Sequence, residues 1–134
     1  MNRKTNWQGM NWIRQEKRLA IYLRDGCACA WCGVSIEDEG TTLSLDHIKC
    51  HIKGGSNDAS NLVTACSNCN TSRGAKSVAA FARVMSKKSG TPVDGIKSHL
   101  TSCTSRDLKP HLIAAKKMMS RRGTAFECLN GVCK

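Results

Sequence analysis

The chain has 134 residues, a length typical of a single domain with a modest core, and only 4% of its residues are aromatic. Its nine cysteines are an odd number for a secreted disulfide scaffold, and the N-terminal residues lack the apolar run of a signal peptide. No stretch approaches the length of a transmembrane helix. We therefore expect a reducing, cytoplasmic setting, with thiolates that bind metal and with no membrane partner.

The formal net charge of +11 is unevenly distributed along the chain. Residues 1–25 carry a net +4, residues 26–72 carry −3 and residues 73–134 carry +10. Basic flanks attract a polyanion, and a slightly acidic middle can hold a divalent cation. The pattern predicts a nucleic acid as the partner, and the alternative is that the basic balance only confers solubility.

The first elements are predicted from apolar periodicity. Apolar residues at helical spacing predict a helix over residues 11–24, which Asp25 ends. Alternating apolar residues predict a half-buried strand over residues 41–48. A glycine-containing loop over residues 53–58 then leads to a short second strand over residues 61–65.

Two further helices are predicted in the C-terminal half. Ser77 can cap the first, which ends at Gly90 before a Thr-Pro break. An apolar stripe predicts the second from about residue 107 to residue 119. Pro110 would then lie in the first turn, where a missing N–H is tolerated.

Two Cys-x-x-Cys pairs are the strongest chemical signal in the chain. They are separated by 33 residues, and each pair turns tightly enough for both thiolates to reach one ion. The spacing predicts one structural zinc ion held by Cys29, Cys32, Cys66 and Cys69. Cys27 is an alternative to Cys29 as a ligand, although Cys29-x-x-Cys32 gives the tighter knuckle.

Between the two pairs lies the segment Leu45–Ile48, which contains Asp46 and His47, and Asn70 directly follows the last cysteine. The carboxylate of Asp46 and the amide oxygen of Asn70 suit a hard cation such as magnesium, for which thiolates are poor ligands. His47 has the side chain whose unperturbed titration lies closest to neutral pH, as a general base requires. A second cation site, distinct from the zinc site, is therefore predicted here.

This arrangement resembles the HNH endonuclease family, of the ββα-metal fold. The segments that carry the resemblance lie within about residues 27–76, and they are Leu45-Asp46-His47-Ile48, Gly54-Gly55, Asn61-Leu62 and Cys66 to Arg73. The resemblance implies the α+β class, with a small ββα-metal core that a four-cysteine zinc site staples and that an N-terminal helix and C-terminal helices flank. We accordingly divide the chain into a basic N-terminal helical arm (1–26), a nuclease core (27–88) and a basic C-terminal helical extension (89–134).

The resemblance also implies a role for each residue of the motif. His47 would be the general base that activates water, and Asp46 and Asn70 would bind a catalytic Mg²⁺ or Mn²⁺ ion. Asn61 would tie the loop between the strands and so orient the base, and Arg73 would contact the phosphate. The implied reaction is hydrolysis of DNA that leaves 5′-phosphate and 3′-hydroxyl ends.

Asp46 and His47 are consecutive strand residues, whose side chains point to opposite faces of a regular sheet. Both can address one phosphate only where the strand ends or is distorted. We therefore predict a break in strand pairing at these two residues.

Basic side chains are expected to contact DNA phosphates without reading the sequence of bases. They are Arg73, Lys76, Lys87, Lys88, Lys116, Lys117, Arg121 and Arg122. Small proteins that resemble this one occur in phages, so we expect a bacterial host cell, a monomer or weak homodimer, and other phage proteins as further partners. Two alternatives stay open: a non-catalytic zinc-stapled module that binds nucleic acid, and an RNA-directed nuclease.

The remaining cysteines match no compact zinc knuckle, even together with His99 or His111, and free or packed thiols are expected. They are Cys50, Cys103, Cys128 and Cys133. His51 follows the candidate base and is a candidate for a further phosphate contact, although an exposed loop histidine is the simpler interpretation.

Overall fold

The computed structural model describes residues 13–38, 40–50, 54–123 and 128–129 of the chain. The described residues form two strands and five helices, in the order α1 (Gln15–Arg24), β1 (Leu43–His47), β2 (Leu62–Cys66), α2 (Ser67–Arg73), α3 (Val78–Ser89), α4 (Val93–Ser105) and α5 (Lys109–Arg122). A 3-10 turn at Ala59–Asn61 leads into β2. None of the helices in this part of the chain is long and apolar enough to cross a membrane.

β1 and β2 pair as an antiparallel hairpin, and α2 follows β2 directly. The register pairs Asp46 with Val63 and His47 with Leu62. Since side chains alternate along a strand, Asp46 and His47 lie on opposite faces of the sheet. The predicted α+β fold with a small ββα core is confirmed.

The sheet separates two hydrophobic clusters. The first, the α1 cluster, contains buried residues of α1 and α5 together with Leu43, Leu45 and Leu62 from one face of the sheet. The second, the knuckle cluster, contains Val63 and Ala65 from the other face, with buried residues of the first Cys-x-x-Cys pair, α3 and α4. Because both of its faces are covered, β2 is buried along its whole length.

α1 and α5 pack against each other and share the α1 cluster with the sheet. Leu19 and Ile21 of α1 are fully buried there. At the end of α1, Arg24 and Asp25 form a buried ion pair of 2.7 Å, and Arg24 Nη2 donates to the main-chain oxygen of Leu62 over 2.6 Å. The flanking helices are thus packed onto the ββα core, and the domain boundaries after residues 26 and 88 stay predictions.

The ends of three helices lie at or near the residues that the sequence predicts. Ser77 caps α3, because its hydroxyl accepts a hydrogen bond of 3.1 Å from the N–H of Ala80, and Gly90 follows the helix with a φ of 83°. Pro110 lies in the first turn of α5, as predicted. α1 begins at Gln15, later than the predicted start at residue 11, which lies outside the described residues.

α4 is a helix that the predictions omit. It follows Pro92 directly, and its buried residues Ile96, Leu100 and Cys103 recur at helical spacing. Pro92, which the sequence predicts to be a break, is the residue that directly precedes the first turn of α4. α4 packs on α3 and β2, and so completes the knuckle cluster.

Candidate active site

The four predicted zinc ligands lie together beside the knuckle cluster. The sulfur atoms of Cys29, Cys32, Cys66 and Cys69 all lie within 4.8 Å of one another, and those of Cys32 and Cys66 are 3.8 Å apart. A tetrahedral zinc ion with Zn–S bonds of about 2.3 Å would hold its sulfur ligands about 3.8 Å apart. The donor set and its spacing therefore fit one structural zinc ion.

Local backbone geometry brings each pair of cysteines together. The N–H of Cys32 donates to the sulfur of Cys29 over 3.5 Å, and the N–H of Cys69 donates to the sulfur of Cys66 over 3.4 Å. Cys66 is the last residue of β2, and its sulfur caps the start of α2. The second knuckle therefore joins the strand to the helix that follows it.

The protonation of these thiols shows why a cation suits the cluster. A hydrogen bond from Cys69 stabilises the Cys29 thiolate and lowers the pKa of Cys29 to about 5. Burial and the neighbouring Cys29 charge raise the pKa of Cys32 to about 11, and the hydrogen bond to Cys29 raises the pKa of Cys69. Four thiolates this close together repel one another, so a positive charge among them is required if all four are deprotonated.

The other cysteines of the described residues lie elsewhere. No further group of three or more metal-ligating side chains comes together in the part of the chain that the structure describes. Cys27 and Cys128 are buried in the α1 cluster. Cys103 is buried in the knuckle cluster, and burial raises its pKa to about 11, as befits a packed thiol. Cys133 and His51 lie outside the described residues.

Asp46 is a buried carboxylate whose two oxygens differ in their surroundings. Its Oδ2 accepts hydrogen bonds from Trp31 Nε1 over 2.9 Å and from Arg73 Nη1 over 2.8 Å. Trp31 lies between the two cysteines of the first knuckle, so one side chain links the four-cysteine cluster to Asp46. No hydrogen bond from the described residues reaches Oδ1, which is therefore the oxygen left for a cation.

Arg73 does not occupy the position expected of a phosphate contact. Its side chain is only 1% exposed, and besides Asp46 it donates to the main-chain oxygens of His47 and Ile48, each over 2.7 Å, and of Lys76 over 3.0 Å. The sequence shows a basic residue beside the motif, but it does not show that a carboxylate and three carbonyls engage it. In this arrangement Arg73 positions the end of β1.

Asn70 lies in the first turns of α2 and reaches across to β1. Its Nδ2 donates to Ser44 Oγ over 2.9 Å and to the main-chain oxygen of Leu45 over 3.4 Å. A carbonyl oxygen only accepts hydrogen bonds, so the amide nitrogen must face β1 and Oδ1 must face away. Ser44 and Asp46 are two residues apart in β1, so their side chains lie on the same face of the sheet. Asn70 therefore contacts β1 on the face that carries Asp46.

The predicted break in strand pairing at Asp46 and His47 is wrong. Both residues pair regularly with β2, and β1 ends only after His47. The irregular backbone lies in the following loop instead, where Gly54 has a φ of 89°. His47 consequently points to the face opposite Asp46, and its Nε2 lies 2.7 Å from Asn57 Oδ1.

Asn61 ties both ends of the loop between the strands. Its Oδ1 accepts a hydrogen bond of 2.9 Å from the N–H of Lys49, and its Nδ2 donates to the main-chain oxygens of Lys49 and Ser56 over 3.2 and 2.8 Å. Gly55 closes the same loop, because a Cβ atom there would lie 1.8 Å from the Lys49 oxygen. These contacts are of the kind that the resemblance implies for Asn61.

Most of the basic residues expected to contact DNA are exposed. They are Lys76 after α2, Lys87 and Lys88 on α3, and Lys116, Lys117 and Arg121 on α5. Nothing is described of the Arg122 side chain, and Arg73 is buried.

Three site residues are missing from the sequence-based set: Trp31, Ser44 and Asn57. Each has a side chain that can form hydrogen bonds, and each lies within or beside the motif. The sequence gives no other indication that these three residues belong to the site. Their partners are 10 to 26 residues away. Only the folded chain shows that these side chains hold Asp46, Asn70 and His47.

The segment that contains this site is similar to known proteins. The model of the HNH endonuclease family matches residues 29–86. The CRISPR-associated endonuclease Cas9 of Actinomyces naeslundii is 44% identical over 81 residues, which are 60% of this chain and 7% of that protein. The crystal structure of the Type II-C Cas9 enzyme from the same organism aligns with a TM-score of 0.45 and 22% identity, covering 84% of this chain and 16% of that one. The chain thus spans a small part of either relative.

A β-hairpin followed by a helix, with four cysteines clustered beside it, defines the class of ββα-metal modules. Within that class, residues 29–86 match the HNH endonuclease family. The family that the motif predicts is therefore confirmed over this segment.

Proposed function

We propose that this chain is a metal-dependent endonuclease that hydrolyses phosphodiester bonds of DNA. The observation that carries the proposal is the end of β1, where Asp46 and His47 are the last two residues and point to opposite faces. A phosphate placed beyond this strand end would meet the candidate base on one side and the candidate cation ligands on the other. Membership of an endonuclease family supports nuclease activity in general.

Asp46 and Asn70 would hold one Mg²⁺ or Mn²⁺ ion through the Oδ1 atom of each. Their other polar atoms are engaged by Trp31, Arg73 and β1, so the side chains are oriented without the cation. Carboxylate and amide oxygens are suitable ligands for such hard ions. When bound, the ion would neutralise negative charge on the phosphate and on the leaving oxygen.

His47 would take a proton from the attacking water. Asn61 holds the loop that follows His47, and Arg73 holds the main chain of His47 itself. In-line attack with departure of the 3′ oxygen would leave 5′-phosphate and 3′-hydroxyl ends. Arg73 acts in this scheme as a positioning residue for Asp46 and not as a phosphate ligand.

DNA is the proposed partner because exposed lysines on α3 and α5 supply positive charge outside the acidic core. A monomer or a weak homodimer would suffice, since one site cuts one strand. The reducing interior of a bacterial cell, the host if the protein is phage-encoded, is the proposed setting because zinc requires the four thiolates.

Plasmid relaxation tests the proposal. Wild type, His47→Ala and His111→Ala, a histidine control on α5, are each incubated with supercoiled DNA in magnesium, in manganese and in EDTA. We expect nicked or linear DNA from wild type and from His111→Ala with either metal, and none from His47→Ala or in EDTA. Ligation of the product ends without prior phosphorylation checks the 5′-phosphate and the 3′-hydroxyl.

Two other outcomes point to different functions. A wild type that binds DNA and leaves it intact under every metal condition would be a non-catalytic binding module, the alternative that the exposed basic side chains favour. Parallel digestion of RNA of the same sequence identifies an RNA-directed nuclease, which would cut the RNA and spare the DNA.

A further inference from the structure

We infer that Asn57, in the loop between the strands, is a positioning residue that fixes the tautomer and orientation of the His47 ring. The inference rests on the proposed function, because it concerns the residue proposed as the base. His47 Nε2 and Asn57 Oδ1 lie 2.7 Å apart, a short hydrogen bond between two half-buried side chains.

The direction of this hydrogen bond follows from the chemistry of its atoms. An amide oxygen only accepts, so Nε2 must carry the hydrogen that lies between the two residues. In a neutral imidazole only one nitrogen is protonated, so the basic lone pair is on Nδ1. Asn57 thus selects Nδ1 as the atom that takes a proton from water, and it fixes the plane of the ring.

Asn57 can orient a ring only if its own backbone is held. Lys17 Nζ, from α1, donates to the main-chain oxygen of Asn57 over 2.7 Å. On the preceding residue, the main-chain oxygen of Ser56 accepts the bond from Asn61. Gly55, next to it, packs directly on the main chain of Lys49. The loop is therefore held from the helix side and from the strand side at the point where it presents Asn57.

A neutral amide is a suitable acceptor at this place. A carboxylate would also hold the ring, but it would add negative charge beside the phosphate that approaches the end of β1. Asn57 orients the ring without that repulsion. Asn57→Asp is therefore expected to keep the ring orientation while weakening DNA binding.

Ring ¹⁵N NMR of the full zinc-loaded chain tests the hydrogen bond without reference to activity. With the ring neutral, we expect the wild-type proton on Nε2, with exchange against water slowed about tenfold or more relative to Asn57→Leu. Asn57→Asp should keep the slow exchange, and so should the control Ser60→Ala, which changes an exposed serine in the turn before β2. A wild-type proton on Nδ1, or equal exchange in wild type and Asn57→Leu, would overturn the inference.

Cleavage kinetics test the consequence for the reaction. Asn57→Leu should lower kcat about tenfold at an unchanged KM, the loss expected from one orienting hydrogen bond. Asn57→Asp should raise KM and largely retain kcat, and Ser60→Ala should match wild type. A kcat for Asn57→Leu equal to wild type would refute the positioning role. If the wild type cut no DNA, the proposed function would fail, and the NMR comparison would still decide the fate of Asn57.

Discussion

The two carboxylate oxygens of Asp46 have different surroundings. Oδ2 accepts hydrogen bonds from Trp31 in the first knuckle and from Arg73 at the end of α2, and Oδ1 is the oxygen that would bind the proposed cation. Arg73 also lies against the face of the Trp31 ring, 5.4 Å from its centre. At the scale of single residues, the site therefore depends on a small buried network behind the side chains of the motif.

Removal of the Asp46 carboxylate should lower stability as well as activity. Asp46→Ala would leave the buried Arg73 guanidinium without a counter-ion, which typically costs about 3 kcal/mol or more in the free energy of unfolding. Urea unfolding measures the loss. Asp46→Asn keeps an oxygen that can accept from Trp31 and Arg73 and should lose less stability than Asp46→Ala. An Asp46→Ala variant as stable as wild type would show that the ion pair contributes nothing.

Trp31→Phe tests the link between the zinc knuckle and Asp46. The variant removes the indole N–H and keeps a ring that can pack on Phe81, whose centre lies 4.8 Å from that of Trp31. We expect unchanged zinc content and an initial rate of plasmid nicking roughly tenfold lower, since one orienting hydrogen bond is lost. Phe81→Leu perturbs the same packing and serves as the control. Full activity of Trp31→Phe would show that Asp46 needs no such support.

At the scale of elements, the junction of β2 and α2 is the critical one. Cys66 ends the strand and caps the helix, Cys69 lies in the first turn, and Asn70 is the next residue. A seven-residue helix has little stability by itself, so its position depends on what its ends are tied to. Zinc at the four cysteines would tie this helix start to the first knuckle and so fix Asn70.

Loss of one zinc ligand should therefore lower metal content and stability together. Cys66→Ser is expected to bind less than one equivalent of zinc and to unfold at a lower temperature, because metal binding contributes directly to folding. A colorimetric zinc assay and thermal circular dichroism provide the two measurements. Cys50→Ser, which changes a cysteine outside the cluster, should behave as wild type. Fully zinc-loaded Cys66→Ser would contradict the four-cysteine clamp.

At the scale of the whole molecule, the basic residues lie mainly in the segments that flank the hairpin and the knuckles. The net charge is +11, while the segment that forms the hairpin and the knuckles is slightly acidic. The helices that surround it expose lysines, and α1 and α5 pack onto the core as a unit. This charge distribution is the one that the proposed binding to DNA requires.

Binding to DNA should weaken steeply with salt, because phosphate contacts release condensed counterions. The slope of log K against log salt measures the number of such contacts. Lys116→Gln/Lys117→Gln should reduce that slope by about two, roughly one for each lost contact. Lys97→Gln, which changes an exposed lysine on α4 outside the predicted set, is the control. An affinity that stays flat from low to high salt would exclude the basic surface as the binding site.

The sequence alone determined the four-cysteine cluster, the order of the ββα elements and the family. Those features depend on residues close together in the chain: two cysteines in one knuckle, an Asp-His pair at a strand end, Asn70 beside Cys69. The tertiary structure alone decided the partners of these residues. Arg73 and Trp31 both donate hydrogen bonds to Asp46, and the side chains of Asn57 and His47 are hydrogen-bonded to each other. Each of these contacts joins segments that are separate in the sequence. Only the packed sheet brings them within hydrogen-bonding distance.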